Sequence, residues 1–483
     1  MSYFSYINHF VAIVGALFLR WTVSLNPYSG ENKAPMYGDY EAQRHWMEIT
    51  YNLPVKEWYV NSSKNDLLYW GLDYPPLTAY HSWFCGLISN YIDPAWVQLG
   101  VSRGFESYHH KLFMRYTVLT ADVLIYMTAV LAFINSGLPK LTASKKNILL
   151  GLILAYPGLI LIDHGHFQYN CISLGLCVWA VVLLVQKQAI AGAVFFSLAL
   201  NYKQMELYHA FPFFFYLAGL CYKQNTWFRS FIKIVGIGVA VITTFVICWL
   251  PFLSDLSLAL QVLHRIFPFA RGLYEDKVAN FWCSLSVLIK IKNILSVQRT
   301  VQMCLITTLL VCIPTSIDLF FRPTIKKFLL SLVNCSLAFF LFSFQVHEKS
   351  ILIAALPVCL LLPTMPLECV WFLLISTFSM YPLLERDGQA ISYTALMLLF
   401  LILANQFLDL RKQPRATRVL FGLSIAGSVV IHLLALTITP PQRLPDLFVS
   451  VRHLPCYSCG LFCWACACLN SQSNAIQTFK RDV

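Results

Sequence analysis

Long apolar runs separated by short polar segments occupy most of this 483-residue chain. A helix that crosses the membrane needs about 20 predominantly apolar residues. Fourteen runs approach that length, and the shorter ones are expected to rely on neighbouring helices in a bundle. They lie at about 5–25, 113–135, 147–162, 171–186, 188–201, 207–222, 232–254, 300–321, 327–345, 350–365, 367–384, 391–409, 418–438 and 453–469. The pattern predicts an all-α polytopic membrane protein with about 14 transmembrane helices.

The composition supports this pattern and excludes other classes of protein. Hydrophobic residues make up 58% of the chain and charged residues only 12%, about half of the roughly 25% that is usual in soluble domains. Such a chain has too few polar groups to cover a surface in water. A soluble enzyme, a secreted disulfide-rich domain and a disordered chain are therefore excluded.

Basic residues between the apolar runs indicate how the helices are oriented. The formal net charge is +12, which in a soluble chain would suggest nucleic-acid binding. Here Lys and Arg cluster in short loops near 140–146, 223–233, 322–327 and 411–418, as the positive-inside rule describes. We therefore place these loops in the cytosol and expect no nucleic-acid partner.

The segment 26–110 then lies on the opposite side of the membrane. It holds nine of the 23 acidic residues and many aromatic ones, which predicts a folded loop with helices in the membrane interface. A second such loop is expected at 255–299. Within it, 282–297 is predicted not to span, because a span there would place 411–418 outside the cytosol. Asn61 begins an Asn-Ser-Ser glycosylation acceptor, which supports a lumenal first loop.

The first loop contains a dense group of charged side chains near its start. Gly38 marks a turn, Asp39 is placed to cap the helix that follows, and Glu41 and Arg44 come next. A carboxylate can act as a general base towards a sugar hydroxyl. Asp39 and Glu41 do not share a helix face, since they are two residues apart. A helix cap with a solvated face is the alternative interpretation.

An aromatic stretch follows in the same loop, where Asp73 and Tyr74 precede Pro75-Pro76. The rings offer stacking surfaces for sugars, and the prolines favour an extended turn before a helix. Asp73 is expected either to cap that helix or to orient the loop that carries Asp39. An aromatic belt at the membrane interface is the alternative.

Short segments at 163–170, 202–206 and 385–390 lie on the same side as the first loop, and the first two carry dense polar residues at span ends. Polar side chains beside spans are costly unless they are used. The candidate substrate-binding or loop-positioning residues here are His166, Gln168, Lys203 and Glu206. His164-Gly165-His166 suggests a metal, but no third ligand follows from the spacing, and no metal site is predicted.

The turn between two later spans carries His347, Glu348 and Lys349. His and Lys at this position can hold a phosphate through charge-assisted hydrogen bonds, although a lone Lys is often a snorkelling anchor. Arg271 in the second loop offers another cation. Acidic, aromatic and cationic groups at a membrane interface suit a sugar carried on a lipid phosphate. A transporter or flippase is the alternative, but transporters place polar residues at mid-span.

Six long motifs in the chain resemble those of the ER dolichyl-phosphate-glucose α-1,3-glucosyltransferases, a family of multispan GT-C glycosyltransferases. The motifs are GDYEAQRHW, YWGLDYPPLTAYH, DHGHFQYN, NYKQMELYHA, FPFARGLYEDKVANFWC and FSFQVHEKSIL. The resemblance extends from about residue 35 to about residue 450. It implies a GT-C fold and an active site that faces the ER lumen.

The resemblance also implies a reaction. The expected donor is dolichyl-phosphate glucose, and the expected acceptor is the nine-mannose oligosaccharide on dolichyl diphosphate, joined by an α-1,3 bond with inversion. Transfer of the second glucose by the sister enzyme is the alternative. By resemblance, Asp39 is the catalytic base, and His347 binds the donor phosphate with help from Lys349. The resemblance assigns a less specific role in the site to Glu41, Asp73, Glu348 and Arg271. It implies no metal and no other cofactor.

Three parts of the chain are expected to form distinct modules. Residues 1–254 form a first transmembrane module with the catalytic loop, 255–299 a second lumenal loop, and 300–483 a C-terminal transmembrane module. The tail departs from the family pattern because five cysteines crowd into 456–468. Palmitoylation or apolar packing is favoured there over zinc, because a zinc ribbon needs a longer loop between its pairs.

Overall fold

The computed structural model describes residues 3–138, 141–267, 278–289 and 291–438, and the regular structure within these ranges is helical, apart from one isolated bridge between Ser62 and Asn65. The α-helices are α1 (Tyr3–Ser24), α2 (Asp39–Asn52), α3 (Pro76–Ile92), α4 (Tyr108–Ala121), α5 (Thr128–Ala132), α6 (Ala143–Leu154), α7 (Pro157–Ile160), α8 (Asn170–Val185), α9 (Ala189–Tyr202), α10 (Ala210–Tyr222), α11 (Trp227–Trp249), α12 (Leu256–Ile266), α13 (Phe281–Leu288), α14 (Val297–Phe321), α15 (Ile325–Phe342), α16 (Ile351–Leu361), α17 (Pro366–Ser379), α18 (Tyr381–Arg386), α19 (Ala390–Phe407) and α20 (Arg415–Thr437).

The predicted spans coincide with these helices, except that 453–469 and the cysteine-rich tail lie outside the described residues. In the described ranges, seven helical segments are long and apolar enough to cross a membrane, and several other apolar helices are shorter. The described residues of the segment 282–297 contain the last seven residues of the eight-residue α13, a 3-10 turn and the first residue of α14, so no long helix runs through them. The all-α polytopic prediction is confirmed.

Two of the long helical segments contain π-helical turns, one of them at Asp122–Met127 and Phe133–Gly137 and the other at Leu161–Phe167. Such turns insert an extra residue into the helix and often occur at functional sites. The turn at Leu161–Phe167 carries Asp163, His164 and His166, three of the polar side chains at the predicted span end.

The described chain forms two compact units. The first comprises Met1–Leu207, Phe231–Ala270 and Leu384–Leu396. In this unit the first loop is folded, because α2 and α3 pack around a buried aromatic and aliphatic cluster that includes Trp46, Trp58, Leu72 and Phe252. This core fixes the position of α2, which begins with Asp39.

The second unit comprises the described residues within Tyr208–Ser230, Arg271–Leu383 and Met397–Val483. Its helices α14, α15 and α16 pack in sequence, and α10 packs against both α14 and α15. Gly219 on α10 permits the close approach of this helix to α14, since a Cβ at Gly219 would lie 2.5 Å from the Phe320 carbonyl oxygen. The turn with His347 connects α15 to α16.

Candidate active site

Asp39 is the first residue of α2, and the preceding loop explains why the helix begins there. Gly38 is the N-cap in an extended conformation and has no room for a side chain beside Ser29. Ser29 Oγ accepts a hydrogen bond from the Asp39 amide over 3.3 Å, and the Ser29 amide donates to the His166 carbonyl over 3.0 Å. The capping role considered for Asp39 therefore falls to Gly38, and the Asp39 carboxylate makes other bonds.

Two side chains hold the Asp39 carboxylate. Its Oδ2 bonds Nε2 of His166 over 3.0 Å and accepts a hydrogen bond from Nε2 of Gln168. Nδ1 of His166 bonds Oδ2 of Asp387, and both of those side chains are buried. The Asp39 side chain is 20% exposed. We call Asp39, His166 and Asp387 the Asp–His–Asp chain. Asp39 is the end of this chain that is accessible to a substrate.

Backbone contacts fix the turn that carries His166. Arg115 Nη2 donates to the Gly165 carbonyl over 2.8 Å, and Gln389 donates to the Pro27 carbonyl. Gly165 has no room for a side chain, because a Cβ there would lie 2.9 Å from Gln389 Oε1. Phe167 has a φ of 91°, a conformation that L residues rarely adopt. Strained backbone of this kind is typical of functional sites.

Asp387 is not among the site residues that the sequence predicts, although the topology predicted from the sequence places its segment 385–390 on the same membrane side as the other polar groups. The sequence Asp387-Gly388-Gln389, which places polar residues around a glycine beside a predicted span, is the pattern that could have indicated Asp387. Gly388 has a φ of 72°, which favours glycine and allows a sharp turn. A polar residue beside such a turn is a reasonable candidate for a site, but its partner could not be identified from spacing.

Glu41 and Arg44 form a buried ion-pair network with Glu48. Arg44 donates to Glu41 through Nε and Nη2 and to Glu48 through Nη2, each over 2.7 Å. Burial raises the pKa of Glu48, but the His45 hydrogen bond and the Arg44 charge outweigh this and lower it to about 2. The Arg44 side chain is fully buried. This geometry supports the loop-positioning role considered for Glu41 and Arg44.

Lys203 connects two polar groups of the first unit. Its Nζ donates to Asn170 Oδ1 over 2.6 Å and lies 5.1 Å from the ring centre of Tyr74. Asn170 donates in turn to the buried Asp163 over 2.7 Å. Lys203 and Tyr74 are half-buried, so both retain a surface that a substrate can contact.

The remaining predicted positions of the first unit differ in their exposure. The Asp73 carbonyl accepts a hydrogen bond from Gln204 over 3.1 Å, and its side chain is half-buried. Glu206 is buried within a 3-10 helix. Asn61 is exposed and accepts a hydrogen bond from the Leu67 amide over 3.2 Å, so an oligosaccharyltransferase could reach it.

His347, Glu348 and Lys349 belong to the second unit. They lie in the turn between α15 and α16, where the Ser350 amide donates to the His347 carbonyl over 3.0 Å. All three side chains are partly exposed. Two groups able to carry positive charge on one short turn suit a phosphate ligand. Arg271, the other predicted phosphate ligand, lies outside the described residues.

Comparison with known proteins identifies the family. The model of the ALG6, ALG8 glycosyltransferase family matches residues 16–468. The chain belongs to this family. The family resemblance seen in the motifs is thereby confirmed, and the membrane protein is a glycosyltransferase rather than a transporter.

Curated relatives of this ALG6, ALG8 family member cover nearly all of the chain. A relative from Gallus gallus is 50% identical over 92% of this chain and 93% of its own length, and one from Mus musculus is 49% identical over 94% of each. Both are named dolichyl pyrophosphate Man9GlcNAc2 alpha-1,3-glucosyltransferase. A probable enzyme of that name from Arabidopsis thaliana is 45% identical over 92% of this chain and 85% of its own length.

Proposed function

We propose that this chain transfers glucose from dolichyl-phosphate glucose to the nine-mannose oligosaccharide on dolichyl diphosphate, forming an α-1,3 bond in N-glycosylation. The shared name of its relatives supports this acceptor over the monoglucosylated acceptor of the sister enzyme. The single observation that carries the chemistry is the partly exposed Asp39 carboxylate, which His166 and Gln168 orient from one side.

The proposed reaction is a single displacement at C1 of glucose. Asp39 takes the proton from the mannose 3-hydroxyl, as a general base. The hydroxyl oxygen forms a bond to C1 from the face opposite the phosphate, so that a β-linked donor gives an α-linked product. The C1–O bond to phosphate breaks, and its electron pair leaves with dolichyl phosphate. The leaving group is already an anion and needs no general acid.

We propose that His347 and Lys349 hold the donor phosphate and that the reaction uses no metal. The leaving group carries one phosphate, and charge-assisted hydrogen bonds can stabilise the charge that it develops. Lys203 and Tyr74, half-buried in the first unit, are suited to contacts with sugar hydroxyls and rings. Gln168 holds Asp39 in place, whereas Glu41 and Arg44 fix the loop behind it.

Cells that lack this chain test the proposed step directly. They are expected to accumulate the nine-mannose lipid-linked oligosaccharide, which is measured by releasing and sizing the lipid-linked glycans. Re-expression of the chain should restore the glucosylated species. Accumulation of a one-glucose species would instead assign the chain to the second transfer, and an unchanged profile would contradict both assignments.

We propose further that the protein resides in the ER membrane with the first loop in the lumen. Asn61→Gln is then expected to increase gel mobility by the mass of one glycan, because the exposed Asn61 is glycosylated in the lumen. Glycosidase treatment should give the wild type the same mobility as the variant. Asn334→Gln is the matched control without a shift, since Asn334 is buried in α15. Labelling of the first loop by a cytosolic reagent in sealed microsomes would contradict this orientation.

A further inference from the structure

A cavity of about 140 Å³ lies beside α1 and α4 in the first unit, and several basic side chains line it. Arg20, Lys111, Arg115 and His164 line it, and no Asp or Glu among the described residues does so. Trp21 also contributes to the wall. A cavity with this lining suits an anion that enters from an apolar environment.

Arg115 has unused hydrogen-bonding capacity at this cavity. Its side chain is 4% exposed, and its Nε and Nη1 have no hydrogen-bond partner within the described part of the chain. Nη2 donates only to backbone carbonyls, of which the Gly165 carbonyl is the nearest at 2.8 Å. Burying a guanidinium without an anion is unfavourable. An anion in the cavity would offset that cost.

The other charges near the cavity are already paired. Arg20 bonds Asp122 over 2.5 Å, and His164 bonds the same carboxylate oxygen over 2.8 Å. Lys111 lies 3.3 Å from Glu31, with about a fifth of its side chain exposed. Arg115, in contrast, lies beside the rings of Tyr28 and Phe167 and has no carboxylate partner within hydrogen-bond distance among the described residues. Lys111 is the partly exposed cation of the lining.

An apolar stripe on α1 leads to this cavity. Phe10, Val14, Phe18, Trp21 and Leu25 recur every three or four residues and are 43–67% exposed. A stripe of this kind on a spanning helix faces the hydrocarbon of the bilayer. Trp21 and Leu25 belong both to the stripe and to the cavity wall. A lipid chain along the stripe would therefore bring its headgroup to the cationic lining.

We propose that this cavity binds the phosphate-monoester headgroup of a membrane lipid whose hydrocarbon chain lies along the α1 stripe. The guanidinium of Arg115 carries a permanent charge that suits a phosphate, and its Nε and Nη1 have no hydrogen-bond partner among the described residues. The site uses none of the side chains proposed to hold the donor phosphate. It also does not depend on the proposed glucose transfer, because its test measures lipid binding alone.

Native mass spectrometry of the full-length protein in detergent micelles tests the ligand. Phosphatidic acid is expected to bind about tenfold more tightly than phosphatidylcholine with the same acyl chains, because only the former presents a phosphate monoester. Inorganic phosphate at equal concentration should not displace it, since it lacks the chain. Equal affinity for the two lipids would overturn the headgroup assignment, and displacement by inorganic phosphate would overturn the lipid assignment.

Two variants locate the binding in this cavity. Lys111→Gln should weaken phosphatidic acid binding about tenfold, because it removes a cation and leaves Glu31 unpaired nearby. Lys64→Gln is the matched control, since Lys64 is exposed on the first loop, and it should bind like the wild type. Arg115→Gln should abolish the preference for phosphatidic acid. If Arg115→Gln does not fold, Lys111→Gln decides the matter, and wild-type affinity in that variant would overturn the proposal.

Discussion

Asp39→Asn is expected to lower glucose transfer by about 10²- to 10⁴-fold, the range that a general base contributes. Asn has nearly the same shape as Asp and can still accept the hydrogen bond from Gln168 through its amide oxygen. It cannot take a proton from the mannose hydroxyl. The substitution therefore removes the chemical role of Asp39 and leaves the beginning of α2 intact, since Gly38 is the N-cap.

The measurement is the rate of glucose transfer in microsomes from cells that lack the native enzyme, normalised to the amount of folded protein. Asp93→Asn is the matched control. Asp93 lies in the same first loop, where its carboxylate caps a short 3-10 helix by accepting from the Ala95 amide over 3.0 Å. Asn caps helices about as well as Asp, so this variant should keep wild-type activity. Near-normal turnover by Asp39→Asn would remove Asp39 from the base role.

The spans could be predicted from the sequence because a bilayer imposes a length and a composition on each helix. The hydrophobic pattern also separated the first loop from the membrane. The hydrophobic pattern does not predict the π-helical turn at Leu161–Phe167, because the sequence of that turn resembles the end of an ordinary span. The rotation introduced by this turn determines where His166 points.

The candidate site can be predicted from the sequence in part, and the missing part has a physical reason. Asp39, His166 and Gln168 were each identified as candidates, but Asp39 and His166 are 127 positions apart, so only tertiary packing brings them together. Asp387 lies a further 221 positions from His166. Glu41 and Arg44, in contrast, are three apart on one helix, and a local ion pair follows from that spacing. Their complete burial follows only from the fold of the whole loop.

Asp387→Asn is expected to lower kcat by about 10²-fold while KM stays close to the wild-type value. Asp387 is a positioning residue, because its carboxylate bonds His166 and not the site that faces the substrate. In the Ser-His-Asp triad, replacing the Asp by Asn costs about 10⁴-fold in kcat through the wrong histidine tautomer. A smaller loss is expected here because His166 orients the base and does not itself take the proton.

A merely structural role for Asp387 would lower the amount of folded protein without changing kcat per folded molecule. The kcat and KM of the purified variant separate these cases, and Asp318→Asn provides a control. Asp318 is a carboxylate of the second unit that bonds Lys327 over 2.6 Å, outside the Asp–His–Asp chain. That variant should keep its kcat.

The double variant Asp39→Asn/Asp387→Asn gives the decisive comparison. Residues that act as one unit show strongly non-additive losses. If Asp387 works only through His166 on Asp39, it has nothing left to position once the base is gone. The double variant should then be no slower than Asp39→Asn alone. Losses that multiply would show that Asp387 acts independently of Asp39, and the Asp–His–Asp chain would not be a catalytic unit.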